Sequence, residues 1–124
     1  LYFKEKLLRI KRKRGNYDLW KKNGYHYRLV RAITERQIAL AEGRKVVLCP
    51  LPYPKLGNYP NYQSLFYELS DKYENVLFID LGKEMSKLSR KERWNLVFQK
   101  DNHYTKEGHE ELAKMILNYP NLDI

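Results

Sequence analysis

Two apolar runs constrain the fold of this 124-residue chain more than any other feature. The first is KVVLC at 45–49 and the second is VLFIDL at 76–81, which ends in an acid and a leucine. Neither run alternates with polar residues, and such runs are typical of parallel strands that are covered on both faces. Between them, SLFYELSDKY at 64–73 carries apolar residues at helical spacing. This order of strand, helix and strand predicts a βαβ unit and a parallel sheet with helices on both faces.

Three further stretches have helical periodicity. Residues 24–42 carry apolar side chains three and four positions apart, and Gly43 follows where a C-cap is expected. These apolar positions are Leu29, Val30, Ile33, Leu40 and Ala41. KEMSKLSRKERW at 83–94 continues a stripe formed by Leu81, Met85 and Leu88. The last helix carries Leu112, Ala113, Ile116 and Leu117.

Two strands are few for an open α/β sheet, which usually has about five or six. The helices would have little sheet to cover. Partner strands are therefore expected from an N-terminal portion outside this chain, from another chain, or from residues 1–23. Trp94, Leu96 and Phe98 alternate with polar residues, and this segment is interpreted as extended chain that leads up the sheet to its active edge.

The chain is basic, with 24 Lys and Arg against 15 Asp and Glu and a formal charge of +9. Much of the excess lies in KEKLLRIKRKR at 4–14, and residues 1–23 are interpreted as a basic N-terminal extension. Its cations Lys11, Arg12, Lys13 and Arg14 suit an anionic surface. A solvated arm is the favoured interpretation, because charge runs usually face water. Neither charge nor composition specifies a compartment, and the single cysteine, Cys49, is expected to be a small buried hydrophobe.

The segment QKDNHYTKEGHEEL at 99–112 contains an acid, two histidines and the start of a predicted helix, and it suits either a catalytic site or a well-capped helix. Asp101 lies two residues before His103, so its carboxylate can reach the imidazole Nδ1, fix the tautomer and leave Nε2 to accept a proton. Thr105 is the predicted N-cap of the last helix, and the charge of Glu107 complements the helix dipole. His109 is predicted to be a packed histidine near the start of this helix.

DNHYTKEGHEELAKMI at 101–116 resembles the last conserved block of SGNH (GDSL-type) hydrolases, and the two apolar runs are similar to the late strands of that family. The resemblance covers roughly residues 24 to 118. It implies a three-layer α/β fold with a flavodoxin-like parallel sheet, of which residues 24–124 form the C-terminal portion. It also implies a serine esterase or O-acyltransferase. In that reaction His103 is the general base and Asp101 orients it, and the substrate is an ester or an acylated carbohydrate or lipid. No cofactor is expected, and no metal is expected because Asp101, His103 and His109 have no second cluster to complete a tetrahedral zinc site.

The chain departs from the family in one essential respect. The Gly-Asp-Ser nucleophile block is absent, as are the glycine and asparagine of the oxyanion hole. Four serines are present, Ser64, Ser70, Ser86 and Ser89, and all lie in predicted helices or at their ends. An N-terminal half or a partner chain is therefore expected to supply the nucleophile. Two alternatives remain, namely an inactive SGNH-like binding module and a small basic polyanion-binding protein.

Overall fold

A computed structural model of the chain describes residues 21–53, 60–101 and 103–122. This part contains five helices and two strands. The helices are α1 (Tyr25–Leu40), α2 (Pro60–Lys72), α3 (Leu81–Ser86), α4 (Arg90–Asn95) and α5 (Lys106–Leu117). The strands are β1 (Val46–Leu48) and β2 (Val76–Phe78). The predictions on the basic stretch, including Lys11, Arg12, Lys13 and Arg14, fall outside the described residues.

The two strands pair in parallel, as the sequence predicts. Val46 lies opposite Val76 and Leu48 opposite Phe78, and α2 connects the strands. Within the described ranges this is a sheet of two strands. The chain is thus a mixed α/β structure with a small parallel sheet.

The prediction that β1 is covered on both faces is wrong for the described part of the chain. Val47, at the centre of β1, is 41% exposed, whereas Val76 and Phe78 of β2 are buried. Among the described residues β1 pairs only with β2, so no strand pairs with its outer edge there. An apolar run shows that a strand favours burial, but it does not show which element covers the strand.

Alternate positions of the strands contribute to two apolar clusters. Leu48 and Phe78 belong to the first, which they form with side chains of α1 and α2, chiefly Tyr27, Leu65, Phe66 and Leu69. Leu77 and Ile79 belong to the second, which they form with side chains of α3 and α5, chiefly Leu81, Met85 and Leu112. Cys49 packs against the second cluster, and burial raises the pKa of its thiol, as expected of a small hydrophobe.

Helix α1 forms where it was predicted, but its buried face differs from the predicted apolar stripe. Tyr27, Thr34 and Ile38 are buried. Leu29, Ile33 and Leu40 are 43%, 51% and 58% exposed. The helix ends near the predicted point, and Gly43 has a positive φ of 79°, a conformation that glycine adopts without strain.

The stretch at 83–94 forms two short helices instead of one. Ser89 begins α4 with a capping box: its hydroxyl accepts a hydrogen bond from Glu92 N, and its own N–H donates to Glu92 Oε2 at 2.6 Å. Helix α4 runs through Asn95, so the extended segment expected to begin at Trp94 does not begin there. Val97 is the buried residue of this segment, while Trp94 and Phe98 are exposed. None of the described helices is both long and apolar enough to cross a membrane.

Candidate functional site

The segment between α4 and α5 folds back on itself in a short turn. Val97 and Tyr104 form an antiparallel bridge. Phe98 N donates to His103 O at 3.1 Å, and Thr105 N donates to Leu96 O at 2.9 Å. These backbone hydrogen bonds place His103 at a fixed point directly before α5.

Asp101 and His103 are in contact within this turn. Asp101 Oδ1 lies 2.6 Å from His103 Nδ1 and also accepts a longer hydrogen bond, 3.4 Å, from His103 N. The contact favours the tautomer in which Nδ1 carries the proton and Nε2 is free to accept one. The imidazole is 84% exposed and the carboxylate 56% exposed, so the ring is open to approach from outside.

The start of α5 is fixed by short-range contacts that the sequence predicts. Thr105 Oγ1 accepts from Gly108 N at 3.1 Å, and Glu107 lies in the first turn. Gly108 lies against the preceding segment: a Cβ at this position would be 2.1 Å from Leu96 O. Only glycine permits this distance between α5 and the turn that carries His103.

A hydrogen bond from Tyr104 connects the turn to the loop that follows β1. Its hydroxyl donates to Pro52 O, and Pro52 follows the carboxyl end of β1 by four residues. Burial raises the pKa of Tyr104 to about 12, so the phenol stays a donor at neutral pH. The Asp101–His103 turn is thereby held beside a loop at the carboxyl end of a parallel strand, which is where active sites of α/β folds form.

Among the described residues no hydrogen bond joins a serine to His103. Ser70 Oγ donates to Val76 O, Ser86 Oγ donates to Lys83 O, and Ser89 caps α4. The fourth serine, at position 64, lies within α2. The described part of the chain thus offers His103 no serine nucleophile.

The prediction that His109 is packed is wrong. Its side chain is exposed, and its ring centroid lies 5.9 Å from that of Tyr104. On α5 the buried positions are Gly108 and Leu112, which face the turn and the second cluster. His109 lies beside this buried face and not on it.

A buried carboxylate lies at the carboxyl end of β2. Asp80 is 3% exposed, and it accepts hydrogen bonds from Gln63 Nε2, from the Tyr67 hydroxyl and from Lys83 N, each at 2.9 Å. The last of these bonds caps α3. Asp80 thus joins α2, β2 and α3, and its role is structural.

The phenol of Tyr67 should make stability depend on pH above pH 10. Burial and the hydrogen bond to Asp80 raise the pKa of Tyr67 to about 12, above the value of about 10 for an unfolded chain. The folded state therefore holds this proton more tightly, and the stabilisation is complete below pH 10 and is lost as pH rises towards 12. Urea unfolding at pH 9, 10.5 and 11.5 should show this decline, with a smaller slope for Tyr67→Phe. The same substitution at the exposed Tyr25 controls for loss of a hydroxyl, and equal slopes for the two variants would contradict the assignment to Tyr67.

Two features of the site are not evident from residue patterns. The hydrogen bond from Tyr104 to Pro52 joins residues 52 positions apart, and the only sequence signal is an aromatic residue between His103 and the N-cap. The closed turn at 96–105 has no glycine or proline to mark it. The first depends on which loop lies beside Tyr104 in space, and the second is closed by the backbone hydrogen bonds of the segment itself.

Comparison with known proteins adds no relative. No family model, no curated protein and no solved structure matches this chain. Inferences about function therefore depend on the residues and their geometry.

Proposed function

We propose that this chain supplies the general-base pair of an SGNH-type ester hydrolase or O-acyltransferase whose serine nucleophile comes from outside the chain. The observation that carries the proposal is the 2.6 Å contact between Asp101 Oδ1 and His103 Nδ1 on an exposed imidazole. The order of residues in DNHYTKEGH supports it, as does the close approach at Gly108. In this proposal the chain is the C-terminal portion of a flavodoxin-like, three-layer fold.

The proposed chemistry follows from the free ring nitrogen. His103 Nε2 takes the proton from a serine hydroxyl as the oxygen attacks an ester carbonyl, and Asp101 stabilises the imidazolium that forms. The imidazolium then returns the proton to the leaving alcohol, and an acyl-serine remains. Water or a sugar hydroxyl attacks the acyl group, again losing its proton to Nε2, and the serine is regenerated. No step needs a metal or a redox cofactor.

Two features of the described residues support a serine from outside the chain. Within the described ranges His103 has no serine partner, and β1 has an outer edge without a strand. A polypeptide segment that adds strands at this edge would bring residues to the carboxyl end of the sheet, where Tyr104 holds the turn. Such a segment is encoded upstream of Leu1 or belongs to a partner chain.

The test uses the assembled protein, with the segment that carries the nucleophilic serine present. Hydrolysis of p-nitrophenyl acetate should fall roughly 10³-fold in kcat for His103→Ala, because general-base catalysis is lost. Asp101→Asn should also lower kcat, by up to about 10⁴-fold, because the tautomer with a free Nε2 is no longer favoured. His109→Ala is the matched control. His109 is an exposed histidine of α5, outside the turn that carries His103, so its replacement should leave kcat unchanged.

Two results would reject the proposal. Equal turnover in the native protein and in His103→Ala would show that this imidazole is not the base. Absence of any turnover, with the serine position of the added segment occupied by another residue, would instead support an inactive binding module.

A further inference from the structure

The outward side of α1 carries four large apolar side chains in a row. Tyr25, Leu29, Ile33 and Leu40 are 67%, 43%, 51% and 58% exposed. Their spacings of four, four and seven residues place them on one side of the helix. Apolar side chains scattered singly on a surface are ordinary, but a row along a whole helix indicates a binding surface.

Two arginines lie beside this row. Arg28 follows Tyr25 by three residues, and Arg36 follows Ile33 by the same interval, so each arginine is a helical neighbour of the row. Both arginines are exposed, and within the described ranges neither forms an ion pair. The four apolar residues and the two arginines are called the outer face of α1 below.

The outer face does not contribute to the described core. Helix α1 is held by its opposite side, where Tyr27, Thr34 and Ile38 are buried. Glu35 is the single acid within α1, and it is paired with Lys72 on α2 at 2.9 Å. The outer face is therefore cationic and apolar. Its helix is held in place by the packing of the opposite side.

We propose that the outer face of α1 binds the surface of an anionic lipid bilayer. The negative headgroups of such a surface would pair with Arg28 and Arg36, and the boundary of the acyl chains would bury the apolar row. Both parts of the outer face would then have a partner. The formal charge of +9 on the chain adds long-range attraction to the same surface. Helix α1 spans 16 residues, and it lies in the plane of the membrane as a peripheral contact.

Other occupants fit less well. A second copy of the same face would bring arginines against arginines, and such like-charge contacts oppose association. Nucleic acid would satisfy the arginines but would leave the apolar row in water. The proposal does not depend on His103 or on the proposed function, because none of the residues of the outer face belongs to the turn at 96–105.

The experiment is co-sedimentation of the full chain with large vesicles of phosphatidylcholine alone or with about one third phosphatidylglycerol. Binding is expected only to the anionic vesicles, and it should weaken in high salt. Each arginine near an anionic surface strengthens partitioning about fivefold, so Arg28→Gln with Arg36→Gln should weaken binding about 25-fold. Leu29→Ser with Ile33→Ser should weaken it at least tenfold, because the apolar row then has less surface to bury.

Matched controls separate this face from other basic and apolar surfaces. Leu117→Ser removes a leucine of α5 that is more exposed than Leu29, and Lys91→Gln with Lys106→Gln removes two exposed cations from α4 and α5. Both controls should bind within about twofold of the native chain. Replacement of the four cations at 11–14 by Gln tests the basic stretch, and the loss should be smaller than for the α1 arginines, because α1 makes the proposed contact.

Several outcomes would overturn the proposal. Equal binding to neutral and anionic vesicles would do so, as would complete loss of binding only in the variant at 11–14. Failure to sediment with either vesicle would also reject it. Self-association that disappears in Leu29→Ser with Ile33→Ser would show that a second copy occupies the face. Circular dichroism of each variant should match the native chain, because all the substituted positions on α1 are exposed.

Discussion

Gly108→Ala should destabilise the protein by about 2–4 kcal/mol, which is the cost of forcing extra volume into a closely packed contact. In most helices this substitution stabilises by about 1 kcal/mol, because alanine restricts the unfolded chain. Here the new Cβ would lie 2.1 Å from Leu96 O and 3.0 Å from Tyr104 Cδ1, so the backbone must move. Leu96 O also accepts the hydrogen bond from Thr105 N that closes the turn. Urea unfolding measures the loss.

Gly43→Ala is the matched control for Gly108→Ala. Gly43 has a φ of 79° and no atom within 4 Å of the added Cβ, so the cost is backbone strain alone, about 1 kcal/mol. The difference between the two variants measures the steric contact at Gly108. The signal of the His103 ring in an NMR spectrum should shift only for Gly108→Ala, because this contact positions the turn. A neutral or stabilising Gly108→Ala would contradict the close approach of α5.

Asp80→Ala should lower the free energy of unfolding by about 3 kcal/mol. The substitution removes the cap of α3, worth about 1 kcal/mol. It also leaves the Gln63 amide and the Tyr67 hydroxyl without their acceptor, at about 1 kcal/mol or more each. Since these groups join α2, β2 and α3, thermal unfolding monitored by circular dichroism should show a single transition at lower temperature.

Asp80→Asn and Asp71→Ala test whether the loss of stability comes from the hydrogen bonds that Asp80 accepts. Asparagine keeps one acceptor oxygen but turns a donor amide towards Gln63, so its cost should be intermediate, about 1–2 kcal/mol. Asp71 lies on the exposed side of α2, and its replacement should change stability by less than about 0.5 kcal/mol. If Asp80→Ala were as mild as Asp71→Ala, the hydrogen-bond network around Asp80 would not be a source of stability.

Local patterns were sufficient to predict much of the chain. The spacing of apolar residues predicted α1, α2 and α5, and the two unbroken apolar runs predicted the strands, because both signals are properties of neighbouring residues. The Thr105 cap and the contact between Asp101 and His103 also depend only on residues within three positions of each other. The catalytic roles of this pair stay predictions, since the described residues place no serine in hydrogen-bond contact with His103.

Residue patterns gave the wrong prediction in two places. Trp94, Leu96 and Phe98 alternate as a strand does, yet a capping box at Ser89 begins α4, which runs through Asn95. The apolar stripe of α1 was a correct signal of a helix, but its members at 29, 33 and 40 lie on the side that α1 turns away from the described core. A periodic pattern shows which face of a helix is apolar, but it does not show which element packs against that face.

The sequence by itself determined the type of each main element, the cap of α5 and the reach of Asp101 to His103, because these depend on short stretches of chain. The tertiary structure alone decided which side of α1 is buried, how closely Gly108 approaches Leu96, and that Asp80 joins three elements. It also decided that the tyrosine after His103 bonds to the loop after β1. Burial and long-range hydrogen bonds depend on which elements become neighbours in space, and no local period contains that information.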